Sequence, residues 1–122
     1  MGDDGRVRLA VVLVVGIVVV GALGLVGCGA SAAPKVGPGD VLVANFSFTP
    51  STITVHVGES VTWVFDQPTA PHNVDSTSGP GSFDSGQPQG TGMYTHEFIT
   101  PGTYTYICTV HPFMKGTVIV TQ

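Results

Sequence analysis

Residues 40–122 predict an all-β fold, a Greek-key sandwich or barrel of seven to eight strands. Three observations carry this. Leucine and alanine are nearly missing, with Leu42 the one leucine and Ala70 the one alanine past Ala44. Threonine occurs 14 times, and all ten aromatic residues of the chain fall in this stretch. Both suit a pleated, half-buried surface better than a helix. Apolar and polar residues also alternate with period two along Ile53-Val55-Val57, and Val61-Trp63-Phe65 share one parity in the next run. In chain order, Val41–Phe48 reads as the first strand, and the two alternating runs read as the next pair. Gly58-Glu59 between those runs reads as a hairpin turn. Asp66–Gly92 is rich in Pro, Gly, Ser, Gln and Thr, so it reads mainly as loop, with short strands near His72–Asp75 and Ser82–Phe83. Met93–Ile99, Thr103–Cys108 and Thr117–Val120 complete the set, with Pro101-Gly102 as a turn. So many short strands in one small domain imply two packed sheets or a closed barrel.

The rest of the chain is of a different kind. The 122 residues carry a formal charge of −4, and 10% of them are charged. Past the leader only Lys35 and Lys115 are basic, against six carboxylates, which excludes a phosphate-binding face and with it nucleic acid as a partner. Leu9–Val26 holds only apolar residues and three glycines. As a helix it would span about 27 Å, a little short of a bilayer core. Arg6 and Arg8 precede it, and Leu25-Val26-Gly27-Cys28 follows. A small residue directly before a cysteine, after an apolar run, resembles the lipobox of bacterial lipoproteins. That resemblance implies lipidation of Cys28 and cleavage in front of it; the other reading is an uncleaved membrane anchor. Either way, the expectation is a domain tethered to the outer face of the bacterial cytoplasmic membrane. Residues 1–27 are then leader and 28–39 a flexible Gly/Ala/Pro-rich spacer, with the folded domain at 40–122. If Cys28 carries lipid, Cys108 has no partner for an internal disulfide in an oxidising compartment, and its thiol needs another explanation.

The run Cys108-Thr109-Val110-His111-Pro112-Phe113-Met114 supplies one. It places a thiol, an imidazole and a thioether at intervals of three as the chain leaves a predicted strand for a turn at Lys115-Gly116. An inert core thiol is the default for one cysteine in a strand, but the intervals to His111 and Met114 argue against it. A fourth donor has to come from elsewhere, and His72, between Pro71 and Asn73, has the best sequence context. His56 lies on the polar side of its strand and reads as solvated. His96 reads as half-buried and structural. One Cys, two His and one Met form a poor zinc set, because structural zinc has little use for a neutral thioether. Calcium and magnesium call for oxygen. A His2Cys plane with a weak Met suits copper, whose two oxidation states differ in softness.

At these residues the chain resembles the cupredoxin family of blue-copper proteins, and within it the plastocyanin/amicyanin-like group. The resemblance extends through "VTWVF" at 61–65, "PHNV" at 71–74, "FDSG" at 83–86 and "TPGTYTYIC" at 100–108. Val110 departs from the group's amicyanins, which have proline there. The resemblance implies His72, Cys108 and His111 as equatorial ligands of one copper ion and Met114 as the axial ligand. It implies that Asn73 ties the two ligand-bearing loops together. It also implies that Pro112 and Phe113 lie near the edge of His111, where a redox partner docks.

The expected function is one-electron transfer between Cu(II) and Cu(I), with transient protein donors and acceptors, by a monomer. Four protein ligands would leave no open coordination position for a substrate. The sequence has no His-x-His pair and no clustered Ser/His/Asp set, so it does not read as an enzyme. The alternative is a module that delivers or buffers copper, although the Met-rich or His-rich tracts of such proteins are missing.

Overall fold

The computed structural model describes residues 36–122. The leader, Cys28 and the spacer up to Lys35 lie outside the described residues. Eight strands follow: β1 (Asp40–Ala44), β2 (Ser47–Thr49), β3 (Thr52–His56), β4 (Ser60–Asp66), β5 (Asp75–Ser78), β6 (Thr91–Glu97), β7 (Gly102–Ile107) and β8 (Lys115–Thr121). There is no helix among the described residues. One sheet runs β2-β1-β4-β6 and the other β3-β8-β7-β5. The all-β expectation holds, and the strand count is at its upper end.

Parity in the register explains how the core fills. The parallel pairing of β1 with β4 sets Val41 beside Trp63 and Val43 beside Phe65, and all four are buried. From the other sheet Val55, Tyr104, Tyr106, Val118 and Val120 meet them. Trp63 is fully buried at the centre, stacked on Phe83 and Tyr94 with centroids 5.5 Å away and meeting Tyr106 edge-on at 5.4 Å. Burying one such side chain is worth about 1.5–3 kcal/mol from apolar area alone. The polar ends of Trp63 and Tyr106, Nε1 and Oη, are buried without a hydrogen-bond partner among the described residues. Burial pushes the Tyr106 phenol up to about 12.

Two expectations are corrected. Gly58-Glu59 is not a hairpin turn, because β3 pairs with β8 while β4 pairs with β1 and β6. The chain crosses there from one sheet to the other. Gly58 adopts φ 89°, and Phe98 and His56 carbonyls accept the N–H groups of Gly58 and Glu59. Nor is Val41–Phe48 one strand. It folds back at Asn45-Phe46, both in the left-handed region at φ 50° and 56°, so β1 and β2 pair antiparallel with Ala44 opposite Ser47. A two-residue hairpin loop needs that backbone twist.

The smaller strand expectations also shift. His72 forms only an isolated bridge to Gln89, and Ser82–Phe83 forms no strand. His56 is exposed, bonded through Nδ1 to Thr121 Oγ1 at 3.1 Å. His96 is half-buried between Phe83 and Phe98, with burial lowering its pKa.

Candidate metal centre

The loop from Cys108 to Met114 joins β7 to β8 and is closed by its own backbone. Met114 N–H donates to the His111 carbonyl at 2.8 Å, a β-turn whose second residue is Pro112. Proline suits that position because its ring presets φ. Cys108 N–H donates to the Met114 carbonyl at 3.1 Å, which draws the two ends of the loop together. Cys108 is fully buried and Met114 nearly so, while His111 is partly exposed.

His72 arrives from the connection that leads from β4 in one sheet to β5 in the other. Its N–H and carbonyl bond reciprocally to Gln89 at 3.0 and 2.8 Å, and its side chain is fully buried. Burial, and then the nearby His111, lower its pKa and favour the neutral imidazole. The next residue joins the two loops. Thr109 N–H donates to Asn73 Oδ1 at 2.8 Å, and Asn73 Nδ2 donates to Thr109 Oγ1 at 2.9 Å.

His72, Cys108 and His111 thus present one donor atom each to a common point. Cys108 Sγ lies 3.8 Å from Nδ1 of His72 and 3.8 Å from Nδ1 of His111, and the two nitrogens are 3.1 Å apart. A triangle with those sides has a centre about 2.1 Å from every corner, close to the 2.0–2.3 Å of transition-metal bonds to imidazole and thiolate. The donor set and the spacing therefore both fit a single metal ion. Met114 sits buried at the end of the same loop.

Exposed apolar side chains lie beside His111. Phe113 is 68% exposed, with its ring centroid 5.9 Å from the imidazole. Pro112 and Val110 are also exposed. Phe46, at the tip of the β1–β2 turn, sets its ring edge-on to His111 at 5.0 Å and to His72 at 5.6 Å. Neither Phe46 nor Gln67, which lies beside His72, stands out in the sequence. Phe46 sits within a run that reads as strand, and no spacing rule connects Gln67 to His72.

Residues 40–121 match the model of the family described as copper binding proteins, plastocyanin/azurin family. Amicyanin-alpha of Methylorubrum extorquens is 39% identical over 87 residues, which is 69% of this chain and 72% of that protein. Plastocyanin of Dryopteris crassirhizoma is 39% identical over 101 residues, 70% of this chain and 98% of that protein. Among solved structures, the Cu(I) form of a mutant of amicyanin superposes with a TM-score of 0.61 at 35% identity, covering 74% of this chain and 90% of that one.

Proposed function

Because the chain belongs to the plastocyanin/azurin family of copper-binding proteins, we propose that it carries single electrons on one copper ion held by His72, Cys108, His111 and Met114. Copper is the family's cofactor, and it supplies the Cu(II)/Cu(I) couple. The observation that carries the ligand assignment is the triangle of two Nδ1 atoms and one Sγ, whose centre is a bond length from each. The surrounding residues hold that triangle still. The reciprocal backbone bonds of His72 and Gln89, the Asn73–Thr109 pair and the closed Cys108–Met114 loop oppose rearrangement. A site that moves little suits an ion that changes oxidation state without changing ligands. Met114, buried at the end of the same loop, would add its thioether to the donor set. With four protein ligands no position stays open for a substrate, which favours a carrier over an enzyme.

We assign docking of redox protein partners to the face around His111. Its exposed Pro112 and Phe113 form an apolar patch of the kind that marks contact surfaces. Transient binding and a monomeric carrier are part of this reading. Voltammetry of the copper-loaded domain is expected to give a reversible one-electron couple, with copper retained against a competing chelator. Ready loss of copper without a reversible couple would assign the protein to copper delivery instead.

From the lipobox-like Leu25-Val26-Gly27-Cys28 we further propose that the domain lies outside the cytoplasmic membrane, tethered through a lipid on Cys28. Cys28→Ala is expected to abolish both lipid labelling and processing. An unchanged mature mass would favour an uncleaved anchor.

A further inference from the structure

We propose that Gln67 is a positioning residue that selects Nδ1 of His72 as the metal donor and couples that imidazole to the Phe46 turn; this rests on the copper reading above. Gln67 Oε1 lies 2.7 Å from His72 Nε2 and 3.1 Å from the backbone nitrogen of Phe46. A backbone N–H can only donate, so the amide atom facing it is the oxygen. His72 Nε2 shares that acceptor at hydrogen-bond distance, so it carries the proton. In a neutral imidazole the other nitrogen then keeps its lone pair, and that nitrogen, Nδ1, is the one facing Cys108 Sγ and His111 Nδ1.

The amide is built in firmly enough to act this way. Gln67 N–H donates to the Gly90 carbonyl at 2.8 Å, and the Gln67 carbonyl accepts from Ala70 N–H at 3.0 Å. A side chain at Gly90 would put its Cβ 2.9 Å from the Gln67 carbonyl oxygen and 3.0 Å from Pro68 Cα, so this close approach requires glycine. His72 is anchored to Gln89, the residue before Gly90, so donor and acceptor are held by adjacent backbone positions. His72 is fully buried, and water is poorly placed to take over the role. The second arm of the oxygen holds the N–H of Phe46, a bulky residue in the left-handed region whose ring makes T-shaped contacts with both imidazoles. The acceptor is also neutral. A carboxylate at this position would draw the Nε2 proton more strongly and make His72 a more basic donor.

The test uses the full domain with Gln67→Leu and Gln67→Glu. In the metal-free wild type, nitrogen-detected NMR of the imidazoles is expected to show His72 protonated at Nε2. Gln67→Leu should lose that single tautomer and weaken copper binding about 10- to 100-fold, the range for losing a partner of a metal-bound histidine. Gln67→Glu should restore tight binding while shifting the reduction potential downward, because a more basic imidazole favours Cu(II). A purely structural role would not produce that pairing of rescue and shift. His72 protonated at Nδ1 in the wild type, or a Leu variant with unchanged tautomer and affinity, overturns the proposal. A wild type with the expected tautomer that takes up no copper contradicts the copper reading, not the role of Gln67 in setting the tautomer.

Discussion

Cys108→Ser is expected to abolish the intense visible charge-transfer band of the oxidised, copper-loaded protein and to weaken copper binding by at least an order of magnitude. The thiolate is the soft, charged donor of the set, and its polarisable sulfur lets one site serve both Cu(II) and Cu(I). A serine hydroxyl is a hard donor that stays protonated at neutral pH, and its oxygen does not reach as far as the sulfur does. Cys108 is fully buried, with its sulfur 3.8 Å from both histidine nitrogens, so no neighbouring sulfur ligand of equal charge stands in for it among the described residues. Serine is small and can hydrogen-bond to the same imidazoles, so the fold should survive. Absorption spectroscopy and calorimetric copper titration read the outcome. A serine variant that kept the band would show that the thiolate is not the source of the colour.

The second large effect concerns stability and needs no metal. Gly116→Ala is expected to cost about 3 kcal/mol, at the upper end for overpacking a core. For a domain of this size that lowers the melting temperature by roughly 15 °C. A Cβ at Gly116 falls on the end of the Tyr106 ring, at Cζ and Oη. Gly116 pairs directly with Tyr106 across β7 and β8, so neither backbone is free to withdraw without breaking the register. The ring has little room to move, since Phe48, Trp63 and Phe83 pack against it with centroids 4.8 to 6.0 Å away. Combining Gly116→Ala with Tyr106→Leu should recover part of the loss, because the two changes act on one contact. A single mutant melting within a few degrees of wild type would contradict this packing.

The two alternating runs show how far sequence alone reached. Period-two patterning tells which side chains share a face, and Val61, Trp63 and Phe65 do face inward together. It does not tell which strand lies alongside. The pattern therefore marked β3 and β4 correctly but offered the wrong partner for each, since a turn within a sheet and a crossing between sheets use the same Gly-containing dipeptide. The fold-back at Asn45-Phe46 was illegible for a related reason. A left-handed turn is usually signalled by glycine, and here a phenylalanine occupies the position.

The metal centre was legible where its chemistry is local. Cys108, His111 and Met114 lie within one seven-residue loop, and their spacing carried the signal. His72 could be singled out only by its Pro and Asn neighbours, 36 residues before the cysteine. Its convergence with the loop is a product of the two sheets packing. Gln67 and Phe46 depend wholly on such packing. One comes from the segment after β4 and the other from the β1–β2 tip, and they meet at His72 because the first sheet sets β1 beside β4.

A copper-loaded crystal, with anomalous scattering recorded at the copper absorption edge, tests the ligand assignment most directly. A single strong peak is expected roughly 2.0–2.3 Å from Nδ1 of His72, Nδ1 of His111 and Sγ of Cys108. A peak bound elsewhere, or one that leaves the cysteine sulfur out of bonding range, would contradict it.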